Sequence, residues 1–206
     1  MKALVLVDIQ NDFLPGGALA VARGDEVITL ANKLQNAFPL VVATQDWHPA
    51  NHKSFAANHP GKGPFDQIEL RGLKQTLWPM HCVQNTPGAE FAATLDQQRF
   101  LKVFRKGTDP EIDSYSGFFD NDHRKSTGLG AFLKEQQVTE VFIAGLATDY
   151  CVRFSALDAQ ALGFKTIVVR DACRGVNLNP DDSDRAIQEM ERAGITITSS
   201  AAILAP

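Results

Sequence analysis

Val141 to Val152 reads VFIAGLATDYCV, and this junction decides the fold. The apolar run Val141-Phe142-Ile143-Ala144 predicts a strand buried on both faces, over Val138–Leu146. The spacing of Ala156, Ala159 and Leu162 predicts a helix immediately after it. A strand passing into a helix in this way is the repeating unit of a parallel α/β sheet. Cys151 stands at the joint. With Thr148 or Asp149 as N-cap, it falls in the first helical turn, where unpaired N–H groups and the positive dipole end favour an anion. The expectation is a thiol pulled down from its free pKa of about 8.5 toward the thiolate. Taken alone, the same residue reads equally as a small buried hydrophobe.

The same pattern recurs outward in both directions. Ala3–Val7, Leu40–Ala43, Phe100–Phe104, Phe164–Val169 and Ile195–Thr198 are further short apolar runs, giving six predicted strands with the first. Between them, Val27, Leu30, Ala31, Leu34 and Phe38 mark one helix face after Gly24-Asp25. Leu129, Phe132 and Leu133 mark another, and Asp182 to Ala193 is amphipathic and stops at Gly194. A short helix is predicted over Ala89–Gln97, and a loop over Asp171–Pro180. Pro49 to Pro87 is rich in Pro, Gly, Asn and His and reads as a long ordered excursion that carries function. Alternating strands and helices imply a sheet covered on both faces.

The 206 residues, 44% hydrophobic and without an internal repeat, predict one α/β domain spanning 1–206. A net charge of −4 offers no basic face for a phosphate backbone, so nucleic acid is not an expected partner. Ala3–Val7 is too short for a signal-peptide core and no apolar run reaches membrane-spanning length, so a cytoplasmic protein with no membrane partner is expected. Cys82, Cys151 and Cys173 are scattered and contain no CxxC pair, which argues against a disulfide framework and a zinc ribbon. No strand is followed by G-x-G-x-x-G or a P-loop, so no nucleotide or other organic cofactor is expected.

Polar residues arrive where the apolar runs stop. Asp8 ends the first strand, Asp46-Trp47-His48 follows the second and Lys106 the third. With Cys151 they belong to the carboxyl edge of the sheet, where open α/β folds bind ligands. There a carboxylate can take a thiol proton while an ammonium steadies the anions on either side of the transfer. An ordinary Asp8–Lys106 salt bridge is the alternative. Asp46 and His48, joined by His81, would make a three-ligand metal site with open positions. His52 is either a fourth ligand or a residue that orients one. His59 and His123 read as solvated loop residues.

Assembled in order, these motifs resemble the nicotinamidase (pyrazinamidase) family of isochorismatase-like cysteine hydrolases. The resemblance rests on LVDIQNDF (Leu6–Phe13), TQDWHP (Thr44–Pro49), WPMHC (Trp78–Cys82), FRKG (Phe104–Gly107), DSYSGFF (Asp113–Phe119), GLATDYCV (Gly145–Val152) and DACRGV (Asp171–Val176). It implies a three-layer αβα fold around a six-stranded, mainly parallel sheet, a triad of Asp8, Lys106 and Cys151, and metal ligands Asp46, His48 and His81. It also implies a cis peptide before Ala147 that helps aim the Ala147 and Cys151 N–H groups as an oxyanion hole. Phe13, Trp78, Leu19 and Tyr115 are implied as the wall around a pyridine ring. One divalent ion is implied, zinc first and iron or manganese as alternatives, holding the pyridine nitrogen directly or through water. The substrate implied is nicotinamide, with pyrazinamide also accepted, in NAD salvage; a homo-oligomer is possible. Another amidase of the superfamily, or a non-catalytic metal or small-molecule binder, are the alternative readings.

Overall fold

The computed structural model describes residues 1–205. Its main sheet contains β1 (Lys2–Val7), β2 (Leu40–Asp46), β5 (Lys102–Lys106), β6 (Glu140–Leu146), β7 (Lys165–Arg174) and β8 (Thr196–Thr198). They lie in the order β5-β2-β1-β6-β7-β8, and every neighbouring pair is parallel. Chain order reverses across β1, with β2 on one side and β6 on the other, so the carboxyl ends of these three strands flank the switch point where such sheets bind ligands.

The period of two along each strand sorts side chains into two cores. Leu4 and Leu6 of β1 join Val27, Ala31 and Leu34 of α1 (Glu26–Gln35) on one face. Ala3, Val5 and Val7 face the opposite way, toward α2 (Leu129–Glu135), α3 (Arg153–Ala161) and α4 (Asp182–Arg192). A short α5 (Ser200–Leu204) lies against α1. The result is the expected three-layer α/β arrangement.

Several elements differ from the sequence expectation. Ala89–Gln97 is not a helix: a 3-10 turn covers Pro87–Ala89 and the rest is irregular. The amides of α1 take the backbone groups a helix would have used, since Asn32 bonds Thr94 O and Asp96 N–H and Gln35 bonds Asp96 O. Ala92 and Leu95 still reach the core from this loop. β5 starts two residues later than predicted and includes Lys106, β2 continues to Asp46, and Phe38 lies beyond the end of α1. β7 extends to Arg174, absorbing residues expected in a loop; its register against β6 jumps from Ile143↔Val168 to Gly145↔Cys173. The excursion after Pro49 holds an antiparallel ribbon, β3 (Gln67–Leu70) and β4 (Leu73–Thr76). Its two-residue turn has Arg71 and Gly72 both at positive φ, 54° and 81°, the primed geometry that matches strand twist.

Gly145 ties the central strands together. At φ 124° a Cβ there would lie 2.1 Å from the Val7 carbonyl oxygen, so only glycine lets β6 pass the end of β1.

Candidate active site

Asp8, Asp46, Lys106 and Cys151 converge at the carboxyl ends of β1, β2, β5 and β6, and all four are buried. The Lys106 ammonium is 2.5 Å from Asp46 Oδ1, 2.9 Å from Asp8 Oδ2 and 3.4 Å from Cys151 Sγ. It also donates to the Ser114 carbonyl at 2.9 Å. One atom each of Asp8, Asp46 and Cys151 lie within 4.8 Å of one another. Asp8 has φ 47°, a left-handed conformation uncommon outside glycine and recurrent at functional sites. Its Oδ1 accepts the Thr44 hydroxyl at 2.6 Å, while Oδ2 is a buried oxygen without a hydrogen bond of good geometry despite the nearby ammonium. That oxygen is tied to the cluster only through its ion pair with Lys106, at 2.9 Å.

Two carboxylates sharing one ammonium are driven apart in acidity. Burial alone would raise both. For Asp46 the Lys106 charge, with His48 and His81, outweighs burial and holds the carboxyl well below its usual range. For Asp8 burial prevails over Lys106, and the Asp46 charge adds to it, so its pKa is raised. Lys106 is held well above its ordinary value: burial disfavours the ammonium, but Asp46 and Asp8 more than offset that. A carboxylate whose ionised form is favoured thus stands beside one suited to exchanging a proton.

The expected acidification of Cys151 is not found. Burial pushes the thiol well above its ordinary value, and the pull of Lys106 does not compensate. Its local geometry also differs. Thr148–Val152 forms one π-helical turn entered from Ala147, and neither the Thr148 nor the Asp149 side chain caps it. Such turns are rare and cluster at functional sites. Asp149 accepts the Val176 and Asn177 N–H groups at 2.9 and 2.7 Å, bracing the loop after β7 against the cysteine turn. The Leu146–Ala147 peptide is cis.

Asp46, His48 and His81 form a group able to hold a metal ion. Each histidine has Nδ1 directed at a backbone carbonyl, His48 at Gly107 O (2.9 Å) and His81 at Pro79 O (2.8 Å). A carbonyl only accepts, so Nδ1 carries the proton, and in the neutral ring the Nε2 lone pair is left facing Asp46 Oδ2, at 3.3 and 3.6 Å. Two nitrogen lone pairs and a carboxylate oxygen pointed at one another require a cation between them. The raised pKa of His48, where Asp46 overcomes the effect of burial, expresses the same demand with a proton. The donors therefore fit a divalent metal, with N and O ligands and the second ring nitrogens tied to carbonyls. Gly107 makes room for this: at φ 65°, its Cβ would lie 2.3 Å from the His48 ring.

His52 is not aimed at this centre. Its Nδ1 accepts from the Ser54 N–H and faces the Ser54 hydroxyl, and Nε2–H points to the Ile112 carbonyl. Both nitrogens are engaged, and burial pulls its pKa down to about 4. Its ring packs 4.5 Å from that of His48, so it supports a candidate ligand through ring contact. His59 and His123 lie elsewhere, bonded to the Lys53 carbonyl and to Asp158.

A small cavity of about 30 Å³ opens onto these groups. All four expected wall residues, Phe13, Leu19, Trp78 and Tyr115, line it, together with Asp46, His81, Ala147 and Cys151. The Trp78 ring meets Tyr150 edge to face at 4.8 Å, and its indole N–H donates to the Tyr115 hydroxyl at 3.2 Å. Asp113, Tyr150 and Val176 also line the cavity and were not singled out from sequence. Each lies inside a quoted motif, but nothing in residue type or spacing separates them from packing residues.

The chain matches the family model described as the isochorismatase domain over residues 2–202. It is 51% identical over 200 residues to the nicotinamidase of Escherichia coli (strain K12), covering 95% of this chain and 93% of the relative. A solved structure described as the nicotinamidase and pyrazinamidase of Acinetobacter baumanii superimposes with a TM-score of 0.96 at 50% identity, covering 98% of this chain and 97% of the other. The pyrazinamidase of Pyrococcus horikoshii, solved in complex with zinc, superimposes at 0.79 with 42% identity, over 96% of this chain and 98% of the other. Fold and sequence agree, and the chain belongs to the nicotinamidase family of isochorismatase-domain hydrolases.

Proposed function

We propose that this protein hydrolyses nicotinamide to nicotinate and ammonia, accepts pyrazinamide by the same route, and works through a thioester on Cys151. The observation that carries this reading is the position of Cys151, a buried thiol on the floor of an aromatic-walled cavity, beside a proton-accepting carboxylate and an ammonium.

Asp8 takes the proton from Cys151 Sγ as sulfur forms a bond to the amide carbon. Lys106 remains charged and steadies first the carboxylate and then the thiolate. The carbonyl oxygen becomes an oxyanion held by the Ala147 and Cys151 N–H groups, each such donor being worth roughly 2.7–4 kcal/mol in other enzymes. Asp8 returns its proton to the leaving nitrogen, the C–N bond breaks, and ammonia departs from a thioester. Water then gives a proton to Asp8 and its oxygen attacks the thioester carbon. The C–S bond breaks, Cys151 regains its proton and the acid is released. The balance is one amide and one water consumed for one acid and one ammonia.

Asp46, His48 and His81 would hold the divalent ion, which when bound supplies a Lewis-acidic contact for the ring nitrogen of the substrate. Phe13, Leu19, Trp78 and Tyr115 confine a flat ring, so its carboxamide is presented to Cys151 with little freedom left to lose.

The reading is tested by incubating the zinc-loaded protein with nicotinamide, pyrazinamide, benzamide and an aliphatic amide and measuring ammonia. Rapid release from the two heteroaromatic amides and slower release from benzamide, which lacks the ring nitrogen, is expected. Preference for the aliphatic amide would favour another amidase chemistry. No release from any of them would leave a binding protein.

A further inference from the structure

Asp46 does two jobs with one side chain, facing Lys106 through Oδ1 and both histidines through Oδ2. Its carboxylate can serve both only if its backbone is held still, yet it is the last residue of β2, where strand support should be weakest. On the β5 side the ladder continues, with the Trp47 N–H bonded to Lys106 O at 2.9 Å. On the β1 side it stops early. The last β1–β2 pair is Leu6↔Ala43, because the chain turns out of the sheet at Asp8 with φ 47°. Successive residues of a strand present their backbone groups to alternate sides. Both the N–H and the C=O of Asp46 therefore point at the gap β1 has vacated.

Gln10 fills that gap. It is fully buried, its Oε1 accepts the Asp46 N–H at 2.8 Å, and its Nε2 donates to Asp46 O at 2.8 Å and to Ala89 O at 2.9 Å. One side-chain amide thus supplies the donor and the acceptor that the next β1 peptide would have supplied. Ala89 O also accepts Gln45 Nε2 at 3.0 Å, so the tie extends to the chain segment that follows the His81 loop.

We propose that Gln10 is the positioning residue of the metal centre: its side-chain amide stands in for the missing β1 peptide and fixes the direction of the Asp46 carboxylate toward the ion. The proposal rests on Asp46 being a ligand, but makes its own claim, that metal affinity is set in part by a residue that touches neither metal nor substrate. Removal of a residue that orients a ligand typically costs 10–100-fold in metal affinity.

The test compares three variants of the whole protein. Gln10→Met keeps the length of the side chain and removes both hydrogen-bonding ends. Gln10→Glu keeps an acceptor for the Asp46 N–H but sets a second oxygen against the carbonyls of Asp46 and Ala89. Gln35→Met is the control, since Gln35 is another fully buried amide tied to a backbone carbonyl, that of Asp96, away from the site. Zinc affinity is measured by competition with a chromophoric chelator, and the melting temperature of the metal-free protein is recorded for each. The expected result is at least about a tenfold weaker zinc affinity in both Gln10 variants, and unchanged affinity in Gln35→Met even where its melting temperature falls. If either Gln10 variant binds zinc within about twofold of the unaltered protein, the proposal is overturned and the metal reading stands. If the unaltered protein binds no zinc, both fall together.

Discussion

The thiol of Cys151, the proposed nucleophile, is held in a state that works against its own ionisation. Burial raises it, and the compensating cation is shared with two carboxylates. In the proposed mechanism the proton therefore leaves during the reaction rather than before it, and Asp8 takes it. Because Asp8 is active only when ionised, and because burial raises its pKa above 3.8, kcat/KM should fall on acidification at a pH above that value. Thr44→Val removes a hydrogen bond that favours the carboxylate. The Asp8 pKa then rises further and the acid limb of the pH–rate profile moves to higher pH. An unmoved limb would mean that another group takes the proton. The positions of these residues were legible in the sequence because each polar side chain ends an apolar run. Their acidities were not, since a helix-start cysteine looks activated until its burial among carboxylates is known.

At the scale of elements, the site depends on how closely β1 and β6 can approach. Gly145→Ala would drive a Cβ into the Val7 carbonyl, and a destabilisation of more than about 1 kcal/mol is expected in urea unfolding. Gly107→Ala acts locally. Its Cβ would occupy the space of the His48 ring, so zinc affinity should drop at least about tenfold, as for loss of a residue that orients a ligand, with little change in sheet stability. Strands and helices were largely readable from period. Ala89–Gln97 was not, because its apolar residues are buried by a loop whose backbone is satisfied from a distance by Asn32 and Gln35. The β3–β4 ribbon was also hidden, since Arg71-Gly72 is a less obvious hairpin turn than Asn-Gly.

Across the whole molecule, three layers bring distant segments together at one edge, and the buried charges there are a cost that function must justify. Lys106→Met leaves Asp8 and Asp46 buried without their cation. Breaking such a pair costs about 3–5 kcal/mol, which denaturant titration would detect. A metal bound only by the folded state adds stability by mass action, about 2.7 kcal/mol at a free concentration of 100 times Kd. Zinc should therefore raise the melting temperature of the unaltered protein and leave that of an Asp46→Asn, His48→Ala double variant unchanged. The central claim is that Cys151 carries the amide carbon through hydrolysis, and it is tested most directly by ammonia release from nicotinamide with zinc-loaded Cys151→Ala beside the unaltered protein. The account predicts a loss of at least about 10³-fold in kcat, as when a nucleophile is removed from a hydrolase of this kind; turnover close to that of the unaltered protein would contradict it.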